Sequence, residues 1–158
     1  MSVTKKVRRI IFGLGSNLGD REFFLDEAVR ELESRLLLSN VKRSNIFRNP
    51  ALLLPNSPPE WSREFLNIAV SGDVDLEIFL PEKILKIVKE IEIKLGRKIS
   101  ERWAPREIDI DILAIENLQI QIGDILTIPH RGLFNRDFFL VTVTEIEQQI
   151  LQQLRGNL

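Results

Sequence analysis

The fold is decided by the stretch Arg102-Trp103-Ala104-Pro105-Arg106-Glu107-Ile108-Asp109-Ile110-Asp111-Ile112-Leu113. Pro105 disfavours helix just before it, and the β-branched alternation from Ile108 to Ile112 predicts a strand with one apolar face. Asp109 and Asp111 therefore share the other face, with Cα atoms about 6.6 Å apart. Two such carboxylates can reach one site that holds two divalent ions about 3.5–4 Å apart, and a cation between them would relieve their repulsion.

The residues before this strand carry two fixed positive charges and an indole ring. Arg102, Trp103 and Arg106 lie at the same end of the strand as the carboxylates, and such groups suit a polyphosphate with an attached base. The short pattern Asp-x-Asp, taken alone, is more often a solvent-facing strand with a charge pair. This structural alternative therefore stays open if only the short pattern is considered. The full string is far more specific.

The string resembles the signature of the 6-hydroxymethyl-7,8-dihydropterin pyrophosphokinase family of the folate pathway. The resemblance extends over about residues 8 to 140, because further fragments occur in the family's order. The matching fragments are Arg102, Ala104-Pro105-Arg106, Asp109 to Leu113, Gly15-Ser16-Asn17-Leu18, Phe47-Arg48-Asn49-Pro50, Phe65 to Val70, Gly96-Arg97 and Thr127-Ile128-Pro129-His130.

This resemblance implies transfer of pyrophosphate from ATP to 6-hydroxymethyl-7,8-dihydropterin, with AMP as the second product. ATP is then a co-substrate, and two Mg²⁺ ions are held by Asp109 and Asp111, which act with Arg97 and Arg106 in catalysis. The residues implied along ATP are Arg97, Arg102, Trp103, Arg106, Ile112, Thr127, His130 and Arg136. The residues implied around the pterin are Asn49, Pro50, Leu52, Phe65, Asn67 and Phe138.

Two of these residues can be weighed without the family. Alternation from Phe65 to Val70 places Phe65 and Asn67 opposite an apolar strand face. An amide beside an aromatic ring can read a heterocycle edge, but it is as often bonded to a neighbouring loop. His130 is the only histidine, and a lone histidine is more often structural than catalytic, so we do not predict a general base there.

Hydrophobic periodicity predicts the remaining elements. We expect a strand from Arg9 to Leu14, a turn from Gly13 to Gly19, a helix capped by Asp20 and running to Leu36, a strand at residues 41–48, a helix from Pro81 to Leu95 that Gly96 stops, a hairpin turn at Glu116-Asn117 leading to Leu118-Gln119-Ile120, and a final helix from Phe139 to Leu154. Glu92 near the end of the second helix is expected to have a cationic partner. The element order predicts an α+β fold, a ferredoxin-like βαββαβ sandwich with an added hairpin and C-terminal helix, and the resemblance implies the same.

Composition sets the broad limits. The 158 residues suggest one domain over 1–158 with residues 1–8 as a flexible tail, and 44% hydrophobic with 28% charged residues is typical of globular proteins. A net charge of −1 gives no excess of positive charge that would favour binding to nucleic acid or to an anionic membrane. The absence of cysteine and of an 18-residue apolar run leads us to expect a cytoplasmic protein without thiolate chemistry.

Two rival functions use the same residues. A nucleic-acid-binding module could share this sandwich, but the aromatic ribonucleoprotein motif is missing. A metal-dependent nuclease could use Asp109, Asp111 and Glu92.

The departures from the family are Asn49, Ala51, Ile99, Arg131 and the chain after Leu140. Its early end suggests one module of a fused folate-pathway polypeptide, for example with dihydropteroate synthase. The loops at 50–64 and 98–105 are expected to close over bound substrates.

Overall fold

A five-stranded antiparallel sheet lies at the centre of the computed structural model, which describes residues 6–50, 54–61, 63–97 and 105–157. Its strands are β1 (Val7–Ser16), β2 (Ser39–Arg43), β3 (Phe47–Asn49), β4 (Phe65–Asp75) and β5 (Asp109–Ile115). The other elements are the helices α1 (Arg21–Arg35), α2 (Pro81–Lys94) and α3 (Asp137–Gly156), the short strands β6 (Ile120–Ile122) and β7 (Leu126–Ile128), and a 3₁₀ turn at Pro59–Trp61. The fold is α+β.

The order of the strands places β1 in the interior of the sheet. The sheet runs β2-β4-β1-β5, and the short β3 pairs with the same β4 as β2 does, nearer the start of β4. In this register Gly13 lies between Ala69 and Asp111, and Gly15 lies between Asn67 and Asp109. The central strand therefore presents two glycines beside the two acidic residues.

The two faces of the sheet bury different helices. Ile110 and Ile112 belong to the core under α1 and α2, whereas Leu113 belongs to the smaller core under α3. Since side chains alternate along a strand, Asp109 and Asp111 lie on the α3 face. The prediction that the two carboxylates share the face opposite the isoleucines is confirmed.

Both early helices begin and end where their sequences indicate. Oδ1 of Asp20 accepts a hydrogen bond from the backbone N–H of Phe23 at 3.1 Å, which caps α1 as predicted. Pro81 occupies the first turn of α2, whose capping residue Leu80 makes no side-chain hydrogen bond. Gly96 follows the helix with φ of +105°, a conformation that an L side chain strains against. Within the described ranges, none of the helices is long and apolar enough to cross a bilayer.

Three local predictions need correction. Gly13 to Ser16 continue β1 rather than turning. Gly13 and Gly15 are glycines because a Cβ at either position would come too close to neighbouring side chains. The single strand expected at 41–48 is divided into β2 and β3, where Ser44 bonds the backbone of Ala69 instead.

The predicted hairpin is right only at its turn. Leu118 N–H donates to the carbonyl of Ile115 at 3.1 Å, and Asn117 adopts φ of +57°. Beyond that bridge β6 pairs with β7 and not with β5. The reason is burial, since the apolar side chains of this small sheet join the core under α1 and α2.

Candidate active site

A pocket opens on the α3 face of the sheet, and β1 forms its floor. Gly13 and Gly15 leave open space between the two aspartates of β5 and the side chains of β4. A Cβ added to Gly15 would lie 3.0 Å from Oδ1 of Asn67 and 3.2 Å from Cδ1 of Phe65. One added to Gly13 would lie only 2.7 Å from Cε1 of Phe139. The floor therefore exists because these two residues have no side chains.

Aromatic rings and guanidinium groups form much of the rest of the pocket. Phe65 comes from β4, and Phe138 and Phe139 come from the first turn of α3, with their ring centroids 4.7 Å apart in an edge-to-face arrangement. The lining residues are Gly13, Leu14, Gly15, Asn49, Phe65, Asn67, Arg106, Asp109, Asp111, Arg136, Phe138 and Phe139. An apolar slot that ends in charged groups suits a flat heterocycle carrying a polar substituent.

Each acidic residue of β5 faces a basic group. Oδ1 of Asp109 accepts from Nη1 of Arg97 at 2.9 Å, and Nη1 of Arg106 lies 3.7 Å from Oδ2. Oδ1 of Asp111 lies 3.6 Å from Nε2 of His130. Burial and the negative charge of Asp111 together raise the pKa of Asp109 above its ordinary value, although both guanidinium groups oppose the shift. At Asp109, burial and repulsion by Asp111 therefore outweigh the attraction of the two guanidinium groups.

A buried carboxylate on α2 holds Arg97 toward this pair. Glu92 is only 2% exposed, and its Oε2 accepts from Nη1 of Arg97 at 2.6 Å and from the backbone N–H of Ile110 at 2.8 Å. Lys89 lies 3.5 Å from the other oxygen. Burial raises the pKa of Glu92. The predicted cationic partner of Glu92 is confirmed, and Glu92 connects α2, β5 and Arg97.

His130 has its hydrogen bonds within the chain. Its ring Nδ1 accepts from the backbone N–H of Gly132 at 2.9 Å, and its ring contacts Phe139 edge-to-face. Its backbone N–H donates to the carbonyl of Leu113 at 2.8 Å. Since Nδ1 is the acceptor, a neutral ring carries its proton on Nε2, which faces Asp111. A donor aimed beside the acidic pair suits phosphate binding better than proton abstraction.

A groove adjoins the pocket at Asp111 and forms a second cavity. Its lining residues are Leu85, Lys89, Ile110, Asp111, Ile112, Asp124, Ile125, Leu126, Thr127, His130 and Arg131. The shared residue Asp111 therefore lies where the aromatic pocket and this more polar groove meet. Two ligands, one in each cavity, would approach each other at the acidic pair.

The structure brings most of the predicted site residues into these two cavities. The pocket takes Asn49, Phe65, Asn67, Arg106, Asp109, Asp111, Arg136 and Phe138, the groove takes Ile112, Thr127 and His130, and Arg97 contacts Asp109. Pro50 is exposed just after β3. Leu52, Arg102 and Trp103 lie outside the described residues.

Although the family resemblance implies that the segment from Gly13 to Gly19 lies beside the pterin pocket, the predicted site residues leave out several that line the cavities. These are Gly13, Leu14, Gly15 and Phe139 in the pocket, and Leu85, Lys89, Ile110, Asp124, Ile125, Leu126 and Arg131 in the groove. The glycine pair could have been found from its spacing, because positions i and i+2 of a strand share a face. Placing both glycines in a turn concealed that relation.

Asn67 combines the two alternatives that its sequence context left open. Its Nδ2 donates to the carbonyl of Phe47 at 3.2 Å and also to Oδ1 of Asn49. Its Oδ1 faces Gly15 on the pocket floor. The amide therefore ties the edge strand β3 to β4 with its donors and presents an acceptor to the pocket.

The combination of these features defines a class of protein. Paired carboxylates, several guanidinium groups and two adjoining cavities are what an enzyme needs to position a phosphorylated donor against an acceptor. The profile of the family described as 7,8-dihydro-6-hydroxymethylpterin-pyrophosphokinase (HPPK) matches residues 11–148. The chain belongs to that family.

Individual relatives agree with the family match. The chain is 38% identical over 143 residues to the 2-amino-4-hydroxy-6-hydroxymethyldihydropteridine pyrophosphokinase of Methylorubrum extorquens, covering 90% of this chain and 85% of that protein. It is 34% identical over 149 residues to the folate synthesis bifunctional protein of Chlamydia muridarum, covering 94% of this chain and 32% of that protein. The chain thus spans about a third of that bifunctional relative.

Solved structures show the same fold. The crystal structure of wild-type Plasmodium falciparum HPPK-DHPS with pteroate superposes with a TM-score of 0.61 at 15% identity, over 89% of this chain and 39% of that one. The wild-type structure described without a ligand gives a TM-score of 0.59 at 13% identity, over 89% of this chain and 41% of that one. At such identities the likeness concerns the fold alone.

Proposed function

We propose that the protein transfers pyrophosphate from ATP to 6-hydroxymethyl-7,8-dihydropterin in folate biosynthesis. The observation that carries this proposal is the meeting of the aromatic pocket and the polar groove at Asp111. The pterin occupies the pocket and ATP occupies the groove. The hydroxymethyl oxygen attacks the β-phosphorus, the bond from that phosphorus to the α,β-bridging oxygen breaks, and AMP leaves with the bridging oxygen.

Asp109 and Asp111 fit the Mg²⁺ ions that this reaction uses. Their side chains are 32% and 31% exposed, so both carboxylates can still be reached. Across the described ranges no cluster of three or more acidic, histidine or cysteine side chains is arranged to hold a metal ion. Such a sparse set suits Mg²⁺, which keeps several waters and binds through one or two carboxylates plus substrate phosphates. Two ions held there would neutralise charge on the transferred group.

The remaining residues take roles of positioning and charge stabilisation. Arg97 and Arg106 already contact Asp109, so a short movement brings either guanidinium onto a phosphate oxygen. Arg136 extends the same positive edge of the pocket, and Thr127 and His130 offer donors in the groove. Arg102 and Trp103 are assigned to the nucleotide, and Leu52 and Pro50 to the pterin, on the family signature alone.

The pterin ring is held by stacking and by amide edges. Phe65 and Phe138 line the pocket and suit stacking on a flat ring. Asn67 supplies an acceptor, and Asn49 beside it supplies a second amide. Gly13 and Gly15 let the ring approach the backbone of β1.

We further infer a ferredoxin-like arrangement in a single domain. Its support is the strand order β2-β4-β1-β5 with antiparallel neighbours, with α1 and α2 packed on one face. β6 with β7 and α3 are then additions. Because relatives include both single and bifunctional proteins, the same domain can serve alone or joined to another folate-pathway enzyme.

The first expected result is that the nucleotide product is AMP and not ADP. Metal and guanidinium groups permit either transfer, so the family membership decides between them. Chromatography of a reaction containing ATP, Mg²⁺ and the hydroxymethyldihydropterin measures it, with a reaction lacking the pterin as the control. ADP as the main product would contradict the pyrophosphokinase assignment, and DNA cleavage that ignores the pterin would point to a nuclease.

Asn67→Ala is expected to weaken pterin binding by about 1–3 kcal/mol and to leave ATP affinity little changed. The mutation removes the acceptor facing the pocket floor and also the bonds that hold β3. Separate titrations with each ligand test this. Asn45→Ala, at an exposed residue outside both cavities, is the control. Equal loss for pterin and ATP would show that the amide acts only on structure.

A further inference from the structure

Asn17, the residue that follows β1, is buried and joins two segments of the site. It is 2% exposed. Its Oδ1 accepts from the backbone N–H of Arg106 at 2.9 Å, and its own backbone N–H donates to the carbonyl of Arg106 at 3.2 Å. Its Nδ2 lies 3.5 Å from the carbonyl of Arg63. One side chain therefore touches the backbone on both flanks of the pocket.

The bonds to Arg106 add one pair beyond the β1–β5 ladder, shifted by one residue from its register. The ladder proper ends at Gly15 and Asp109, and β1 itself ends at Ser16. The side-chain oxygen of Asn17 then replaces the carbonyl that a continued strand would supply. This substitution fixes the backbone at Arg106, whose guanidinium lies 3.7 Å from Asp109.

The other arm of Asn17 reaches the segment that leads into the aromatic wall. Arg63 is two residues before Phe65, which lines the pocket. At 3.5 Å this bond is at the outer limit for an N–H donor, unlike the 2.9 Å bond on the other side. Arg21 holds the adjacent Glu64 carbonyl at 2.9 Å, so this end of the segment has an independent anchor. The long Asn17 bond is therefore not the sole anchor of this end of the segment.

We propose that Asn17 is a positioning residue that couples the two flanks of the pocket. Its oxygen holds Arg106 in register with Asp109, and its amide nitrogen draws the Arg63 carbonyl inward when the pterin fills the pocket. Catalytic hydrogen bonds that are long in the free protein commonly shorten in the substrate complex. The inference rests on the proposed reaction for its kinetic tests but not for its structural test.

Two variants separate the arms. Asn17→Asp keeps an oxygen for the Arg106 N–H and, when ionised, cannot donate to Arg63, whereas Asn17→Ala loses both. We expect Asn17→Asp to raise the KM for the pterin about tenfold with kcat within about threefold of the parent. We expect Asn17→Ala to raise that KM similarly and also to lower kcat about tenfold or more. Asn45→Asp and Asn45→Ala, at an exposed residue, are matched controls expected to change neither constant.

Hydrogen exchange provides the test that does not depend on activity. The Arg106 amide should exchange faster in Asn17→Ala than in the parent, and at the parental rate in Asn17→Asp. Urea unfolding of every variant separates local from global effects, and Asn17→Ser replaces Asn17→Ala if the latter does not fold. Parental kinetics in all folded variants, or equal kcat losses in Asn17→Asp and Asn17→Ala, would overturn the proposal. Absence of AMP with the parental enzyme would instead overturn the proposed function and leave the exchange result interpretable.

Discussion

Asp109→Asn and Asp111→Asn are each expected to lower turnover by roughly a hundredfold to a thousandfold or more. Both carboxylates lie on the floor edge of the pocket, and Asp111 also lines the groove. An amide keeps the size of the side chain but removes the negative charge that the proposed Mg²⁺ site requires. Single-turnover AMP formation at saturating ATP and pterin is the measurement.

The same substitutions are expected to leave folding nearly intact. Burial and Asp111 raise the pKa of Asp109, so the native state holds its proton to a higher pH than the unfolded chain does. The stability contributed by this group therefore falls as pH rises from the ordinary aspartate value through the folded one. Asn cannot ionise, so Asp109→Asn avoids that loss at neutral pH, although Arg97 and Arg106 lose a partner. We expect a net change within about 1 kcal/mol.

A surface aspartate supplies the matched control. Asp26 pairs with Arg43 and is 57% exposed on α1, away from both cavities. Asp26→Asn should retain full turnover. Near-parental turnover in the Asp109 or Asp111 variant would argue against a metal role, and an unfolded variant would show that the carboxylates serve structure.

Local patterns predicted those parts of the fold that depend on local physics. The Ile108 to Ile112 alternation located β5 and placed its carboxylates on the correct face, and Asp20 and Gly96 bounded the helices as expected. These signals work because periodicity, capping and left-handed backbone are properties of a few adjacent residues.

The floor of the pocket depended on information that no local pattern contains. Gly13 and Gly15 look like a turn until β4 and β5 are paired on either side of them. The strand after Asn117 likewise depends on which apolar surface it finds, and it packs on the α2 side of the core. Leu52, Arg102 and Trp103 lie outside the described residues, so the predicted closure of their loops stays a prediction.

The least predictable feature is a partly buried ionic network at the opposite end of β1. Arg9 donates through Nη2 to Oε2 of Glu147 at 2.5 Å, through Nη1 to Oδ1 of Asp73 at 3.2 Å and through Nη2 to Oγ of Ser71 at 2.9 Å. Oγ of Ser71 in turn donates to Glu147 at 2.6 Å. Arg9 and Glu147 are 138 residues apart in the sequence. Glu147 departs from helical geometry with φ of −139° and ψ of 52°, which kinks α3 at this contact.

Arg9→Ala is expected to lower the free energy of unfolding by about 3–5 kcal/mol. Glu147 is 9% exposed and Asp73 is 22% exposed, so removing the guanidinium deprives two carboxylates with little access to water of the partner that they share. The cost comes from this uncompensated charge rather than from the loss of one favourable pair. Urea unfolding followed by far-ultraviolet circular dichroism measures it.

A double-mutant comparison distinguishes charge burial from lost packing. Arg9→Met combined with Glu147→Leu removes the central pair while retaining apolar volume, so it should recover a large part of the stability that Arg9→Ala loses. Arg30→Ala is the control, since Arg30 is 75% exposed and pairs only across the surface with Glu27 among the described contacts. We expect that variant to lose less than about 1 kcal/mol. If Arg9→Ala lost no more than Arg30→Ala, α3 would be held in place by its apolar face against Ile11, Ala69 and Leu113, and the kink would follow from that packing instead.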